Sequence, residues 1–148
     1  MNLSDKLLSV QTIFIDTAPI IYYIEAHPKY GPLVKKVVDF FQSNQMMAFT
    51  SVITLTKVLS KPIEKGDKKL TREFSKFLKQ GKNITLTDIS SNIAEQAGNL
   101  RGKYLDLRTI DAIQISAAVD IDADVFLTND KRLKKIKEIE IIILDDYL

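Results

Sequence analysis

Three aspartates stand where this chain could do chemistry. Asp16 follows directly on a short β-type run, Thr12–Ile15 (TIFI). Asp130 follows the apolar run Ala123–Leu127 (ADVFL) and a polar turn, Thr128-Asn129. Asp111 falls in the first turn of a predicted helix, where Ala112, Ile115, Ser116 and Val119 recur at helical spacing. Each has a structural role that would explain it alone. Asp16 suits a helix N-cap, Asp111 complements a helix dipole, and Asp130 suits an Asx-turn or the cap of a following helix. Taken together, they are carboxylates aimed at one edge of one sheet, where like charges repel unless a cation sits among them. A hard divalent ion such as magnesium or manganese, held by oxygen and water, is the usual answer. The chain has no cysteine, a single histidine (His27) and no glycine-rich phosphate loop. The chemistry left for such a set is metal-assisted attack on a phosphodiester.

The elements around these residues alternate between strand and helix. After Thr12–Ile15, the run Asp16-Thr17-Ala18-Pro19 reads as a helix start, continued by Ile20, Ile21 and Ile24. Pro28, Gly31 and Pro32 break the chain before a second helix with Leu33, Val37, Val38 and Phe41, ending near Asn44. Met46–Phe49 is predicted as a strand, and Thr50-Ser51 as the cap of a helix with Val52, Leu55, Val58 and Leu59, stopped by Pro62. Leu70, Phe74, Phe77 and Leu78 mark an amphipathic helix ended by Gly81. Ile84–Leu86, a helix over Ile89–Leu100, an Asp111 helix capped by Asp106 or Thr109, and a last strand over Glu140–Leu144 complete the order. Hairpin signals are absent. The order predicts one α/β domain over residues 1–148, with a mostly parallel five-stranded sheet covered by helices on both faces. In such sheets ligands bind beyond the carboxyl ends of the strands, where the strand order reverses.

Composition narrows the setting. Hydrophobic residues make up 45% and charged residues 27% of the 148 residues, within the range of soluble globular proteins. The absence of cysteine excludes disulfides and thiolate metal sites, and one histidine excludes a multi-histidine zinc site. No apolar run approaches the ~20 residues of a membrane span, and the N-terminus lacks a signal-peptide layout, so a cytoplasmic location is expected. The net charge is only +2, but it is unevenly spread. Lys69, Arg72, Lys76 and Lys79 share one helix face, and Lys131 and Arg132 open a second basic cluster directly after Asp130. Either is a solvated face or a contact for a polyanion such as RNA.

Four stretches in order carry a family resemblance: Phe14-Ile15-Asp16-Thr17, Thr50-Ser51-Val52-Ile53-Thr54-Leu55, Asp111-Ala112-Ile113-Gln114 and Leu127-Thr128-Asn129-Asp130. They resemble the PIN domain, specifically the VapC-type toxin ribonucleases, from about Thr12 to Leu144. The resemblance implies magnesium- or manganese-dependent cleavage of RNA, a homodimer, and an antitoxin that covers the acidic groove. It places the family's first, third and fourth acidic positions on Asp16, Asp111 and Asp130. Thr128 matches a hydroxyl that helps to position the metal shell, with Thr17 and Asn129 in support. One position departs from the pattern. Where the family usually has a glutamate in the helix after the second strand, this chain has Lys57. An ammonium there would pair with Asp16 and Asp111 and occupy the space of a cation. The expectation is therefore a toxin-type endoribonuclease weakened or silenced by Lys57, or else a PIN-like module that holds RNA or a protein without cutting.

Overall fold

A computed structural model describes residues 1–148. Its centre is one sheet of strands β1 (Thr12–Ile15), β2 (Met47–Ser51), β3 (Ile84–Thr87), β4 (Val125–Thr128) and β5 (Glu140–Ile143), in spatial order β3-β2-β1-β4-β5. Every pairing is parallel. The first three strands run outward in one direction and the fourth is laid on the other side of β1. The reversal therefore lies between β1 and β4, in register from Ile13 opposite Val125 to Ile15 opposite Leu127.

Strand periodicity sorts the side chains into two cores. On one face Ile13, Ile15, Ala48, Val125 and Leu127 pack against α1 (Leu3–Leu7), α2 (Thr17–Ile24), α3 (Gly31–Gln42), α4 (Val52–Glu64) and α5 (Lys68–Gln80). On the other face Phe14 and Phe126, stacked with centroids 5.5 Å apart, meet α6 (Ser91–Lys103) and α7 (Thr109–Asp120). Helices thus cover both faces, as the alternating order predicts. Helix α7 is buried nearly all round, and its small residues Ala112, Ala117 and Ala118 let it lie close to the sheet.

The structure corrects several local expectations. Pro62 does not stop α4; the helix runs two residues further, with the Pro62 ring buried in its last turn. So near the end the missing N–H forfeits a single ladder bond, which burial of the ring offsets. Neither Asp106 nor Thr109 caps α7. Arg108 holds the N-cap position without a side-chain cap, Thr109 is already helical, and Asp106 pairs with Lys135 instead. Val119 is 40% exposed rather than part of the buried stripe. Helix α6 starts at Ser91 on a Ser90 cap and continues past Leu100 to Lys103. Helix α1 was not expected, yet it carries a capping box between Asn2 and Asp5 and buries Leu3 and Leu7.

Candidate active-site groove

The groove opens at the carboxyl edge of the sheet, over the reversal between β1 and β4. Asp16 ends β1 and caps α2. One of its carboxylate oxygens accepts the Thr17 N–H at 2.8 Å and the other accepts the Thr128 hydroxyl at 2.9 Å. It is only 8% exposed. Burial pushes its pKa above the ordinary carboxylate value, and Asp111 pushes the same way. The Thr17 amide, the Thr128 hydroxyl and the Lys57 charge pull against them.

Asp111, also buried, accepts the Arg108 Nε–H at 2.9 Å. Asp130 caps the 3₁₀ turn Lys131–Lys135, accepting the Arg132 N–H at 3.0 Å. It is gripped in a fork by the Arg132 side chain, at 3.0 and 2.7 Å, and lies 3.6 Å from Arg108 Nη2. The Arg132 hydrogen bonds, with the charges of Arg132 and Arg108, hold its pKa below the ordinary value. Arg108 therefore spans Asp111 and Asp130.

These side chains line one groove of about 470 Å³ together with Thr17, Tyr22, Asn129, Lys57 and Lys131. Its lining carries three carboxylates, Asp16, Asp111 and Asp130, and three cations, Lys57, Arg108 and Lys131, so its formal charge is zero.

The sequence matches the model of the PIN domain over residues 13–139. The chain belongs to the PIN domain family. Comparison with curated proteins finds no match. Solved structures share the fold. VapBC2 from Rickettsia felis, bound to a DNA fragment from its promoter, matches with a TM-score of 0.73 at 20% identity, over 90% of this chain and 98% of that one. A toxin–antitoxin complex from Klebsiella pneumoniae matches at 0.65 and 20% identity, over 89% and 97%. VapC20 from Mycobacterium tuberculosis, a sarcin–ricin loop cleaving toxin, matches at 0.64 and 14% identity, over 86% and 98%.

PIN nucleases generally use divalent metal ions. The oxygen ligands are of the right type, but as they stand they do not fit an ion. No three carboxylate or imidazole groups are placed to share one, and Asp111 and Asp130 already spend oxygens on guanidinium groups. Lys57 lines the groove without forming an ion pair within 4.0 Å; the cations in direct contact are Arg108 and Arg132.

Beneath the groove lies a buried hydroxyl–amide network. Thr50 donates its hydroxyl proton to the Ile15 carbonyl at 2.7 Å and lies 2.8 Å from Thr54 Oγ1, to which Gln114 Nε2 donates at 2.8 Å. Thr17 lies 3.3 Å from Thr54, and the Ser51 hydroxyl donates to Gln114 Oε1. This ties the end of β1 to the starts of α2 and α4 and to the first half of α7, and so fixes Asp16 relative to Asp111. Asn129 braces the rim: its side-chain oxygen accepts the Asp145 N–H at 2.9 Å, and its amide lies 3.4 Å from the Tyr22 hydroxyl.

The other basic residues are split. Lys131 lines the groove, whereas Arg132 is committed to Asp130. Lys69, Arg72, Lys76 and Lys79, with Glu73, line a separate concavity on α5 that holds no hydrophobic residue and shares no residue with the groove. Sequence reasoning missed Arg108, although its three-residue spacing to Asp111 on one helix is a pairing signal. It also missed Tyr22, and it has Thr54 and Gln114 only as members of the family stretches, without their contact. Nothing in their sequence spacing marks the last two as a joint network.

Proposed function

We propose that residues 1–148 act as one VapC-like PIN domain directed at RNA, an endoribonuclease of the toxin type whose cutting is weakened by its own cations. The groove carries this reading. It gathers Asp16, Asp111, Asp130 and Thr128 at the reversal edge and sets Lys57, Arg108 and Lys131 among them in equal charge. An RNA phosphate offers those cations an alternative anion, and charge-assisted bonds to phosphate are strong. The three aspartates are oxygen donors of the kind magnesium or manganese takes. Such an ion would have to compete with Arg108 for Asp111 and Asp130. Thr17 and Asn129 support the carboxylates and the rim, and the α5 face (Lys69, Arg72, Lys76, Lys79) with Lys131 and Arg132 adds weaker RNA contacts. A cytoplasmic location, a homodimer and an antitoxin partner complete the proposal. The antitoxin is supported by fold neighbours solved as toxin–antitoxin complexes.

The test uses single-stranded RNA of mixed sequence. Binding is measured in chelator, and cleavage in millimolar magnesium or manganese, with Asp16→Asn as control. Slow, metal-dependent cleavage that Asp16→Asn abolishes supports the reading. A second reading, a non-catalytic RNA- or protein-binding module, is favoured by the lack of any carboxylate group ready to share an ion. RNA binding without cleavage in either metal selects it. Absence of RNA binding refutes the RNA-directed reading altogether.

A further inference from the structure

A second feature adjoins the groove. Helix α2 ends in a tight turn. Ala26 takes a left-handed φ of 51°, and a Cβ on Gly31 would meet the Tyr22 carbonyl at 3.2 Å. The turn throws His27 back onto two tyrosines. Tyr22 lies at 4.8 Å between centroids and Tyr30 is stacked at 5.1 Å. His27 Nδ1 accepts the N–H groups of both Lys29 and Tyr30 at 3.1 Å. That fixes the ring's orientation and leaves Nε2 as its N–H donor. The same imidazole lines a cleft of about 310 Å³, walled by Tyr23, Pro28 and Pro32 and edged by Lys35. No carboxylate lines this cleft. The flat rings of Tyr23 and His27, a fixed N–H donor, and a lysine whose partner is the exposed Asp39 at 3.0 Å suit a planar base on a polyanionic chain better than they suit a peptide.

Cleft and groove share no lining residue, but Tyr22 stands between them: it lines the groove and touches both His27, which lines the cleft, and Tyr30. Lysines mark the path between them. Lys131 lies in the groove, and Lys29 sits above the Tyr30 ring at 5.3 Å. Their partner is Asp145, at 2.8 Å from Lys131 and 3.9 Å from Lys29, and both lysine side chains are more than half exposed. Such exposed pairs exchange readily for phosphate. We propose that the cleft takes one unpaired nucleobase of an RNA strand, stacked on His27, while Lys29 and Lys131 carry the phosphates leading into the groove. This inference rests on the RNA-directed reading. It deepens it by assigning a base-stacking subsite outside the carboxylate cluster, which would make the protein select single-stranded over duplex RNA.

The experiment is done in chelator, so that no cleavage intervenes. A short single-stranded RNA carries 2-aminopurine at one position, scanned along the strand, and a matched strand carries an abasic nucleotide there. His27→Asn removes the ring but keeps a side-chain acceptor for the Lys29 amide. At one position the unmodified protein should quench 2-aminopurine fluorescence. There His27→Asn should abolish the quenching and weaken binding about tenfold, since one base–aromatic stack is lost. The salt slope should not change, because no phosphate contact is lost. The abasic strand should bind both proteins equally. RNA that binds without quenching at any position, or equally to both proteins, overturns the subsite while leaving the RNA-directed reading intact. Should His27→Asn not fold, quenching by the unmodified protein decides. If no RNA binds at all, the functional reading has failed and the subsite with it.

Discussion

Lys57→Glu is the sharpest perturbation of the groove. Lys57 is exposed and holds no ion pair, so its replacement strands no partner, and lysine and glutamate have similar helix propensity. What changes is charge. The lining passes from three acids against three cations to four against two, a formal shift from 0 to −2. The buried Asp16 feels this most, because Lys57 is among the groups that help it to ionise. In chelator the variant should therefore melt lower than the parent. At this solvated rim the loss should be about 1 kcal/mol, or roughly 2–4 °C for a domain of this size. Manganese should reverse the order. At a concentration a hundred times its dissociation constant, a bound ion adds about 2.7 kcal/mol, or roughly 5–10 °C. The parent should change little under the same conditions. Thermal melts of both proteins, in chelator and across a manganese titration, read all of this. Metal-dependent RNA cleavage should rise with the shift. If the parent already gains 5 °C or more with manganese and Lys57→Glu gains nothing further, then the cations do not exclude an ion and the reasoning fails.

Five further outcomes follow from the same geometry. Arg108→Gln should lower the melting temperature in chelator, since the buried Asp111 loses its guanidinium partner, but should raise manganese affinity in calorimetry; unchanged affinity would show that Arg108 does not compete. Asp16 holds its proton more tightly folded than unfolded, so ionised Asp16 destabilises the fold above its raised pKa, and the penalty is relieved as pH falls through that value. Asp16→Asn should then melt higher at neutral pH with a gain that fades in acid, whereas Asp130, held low by Arg132, contributes stability above the ordinary carboxylate range that is lost as pH falls through its depressed pKa, so Asp130→Asn should melt lower at neutral pH. Gln114→Leu leaves the Ser51 hydroxyl without its acceptor and removes a donor from Thr54, which should cost about 2 kcal/mol and lower the melting temperature by roughly 4–8 °C. Lys76→Ala with Lys79→Ala should flatten the salt dependence of RNA binding if α5 touches the backbone; an unchanged slope retires that face.

What the sequence made legible, and what it hid, divides along the range of the interactions. The strand runs TIFI and ADVFL each carry their aspartate at a fixed offset, because a strand's end and the turn after it are local events. Parallel pairing followed from the alternation of elements, and parallel pairing places all strand ends at one edge. So the clustering of Asp16, Asp111 and Asp130 was readable without any contact being known. The counter-charges were not. Lys57 was visible as an odd residue in a motif, and the expectation paired it with Asp16 and Asp111. In the fold it lines the groove, yet Arg108 and Arg132 make the direct bonds. Both arginines sit within three residues of an aspartate, and such short-range pairs are common on solvated surfaces, where they decide little. They matter here because Asp111 is buried and shares Arg108 with Asp130, a residue nineteen positions away. The hydroxyl–amide network was hidden for the same reason. Thr50, Thr54 and Gln114 have ordinary local roles, and only the crossing of α4 and α7 over the end of β1 turns them into a joint support. A family motif thus locates the acids, but whether they hold a metal or their own cations depends on long-range neighbours. In this chain Arg108 shares the groove with Lys57 and Lys131, which brings the lining to zero formal charge. An RNA phosphate can exchange into such a site anion for anion, whereas a divalent ion must first displace a guanidinium.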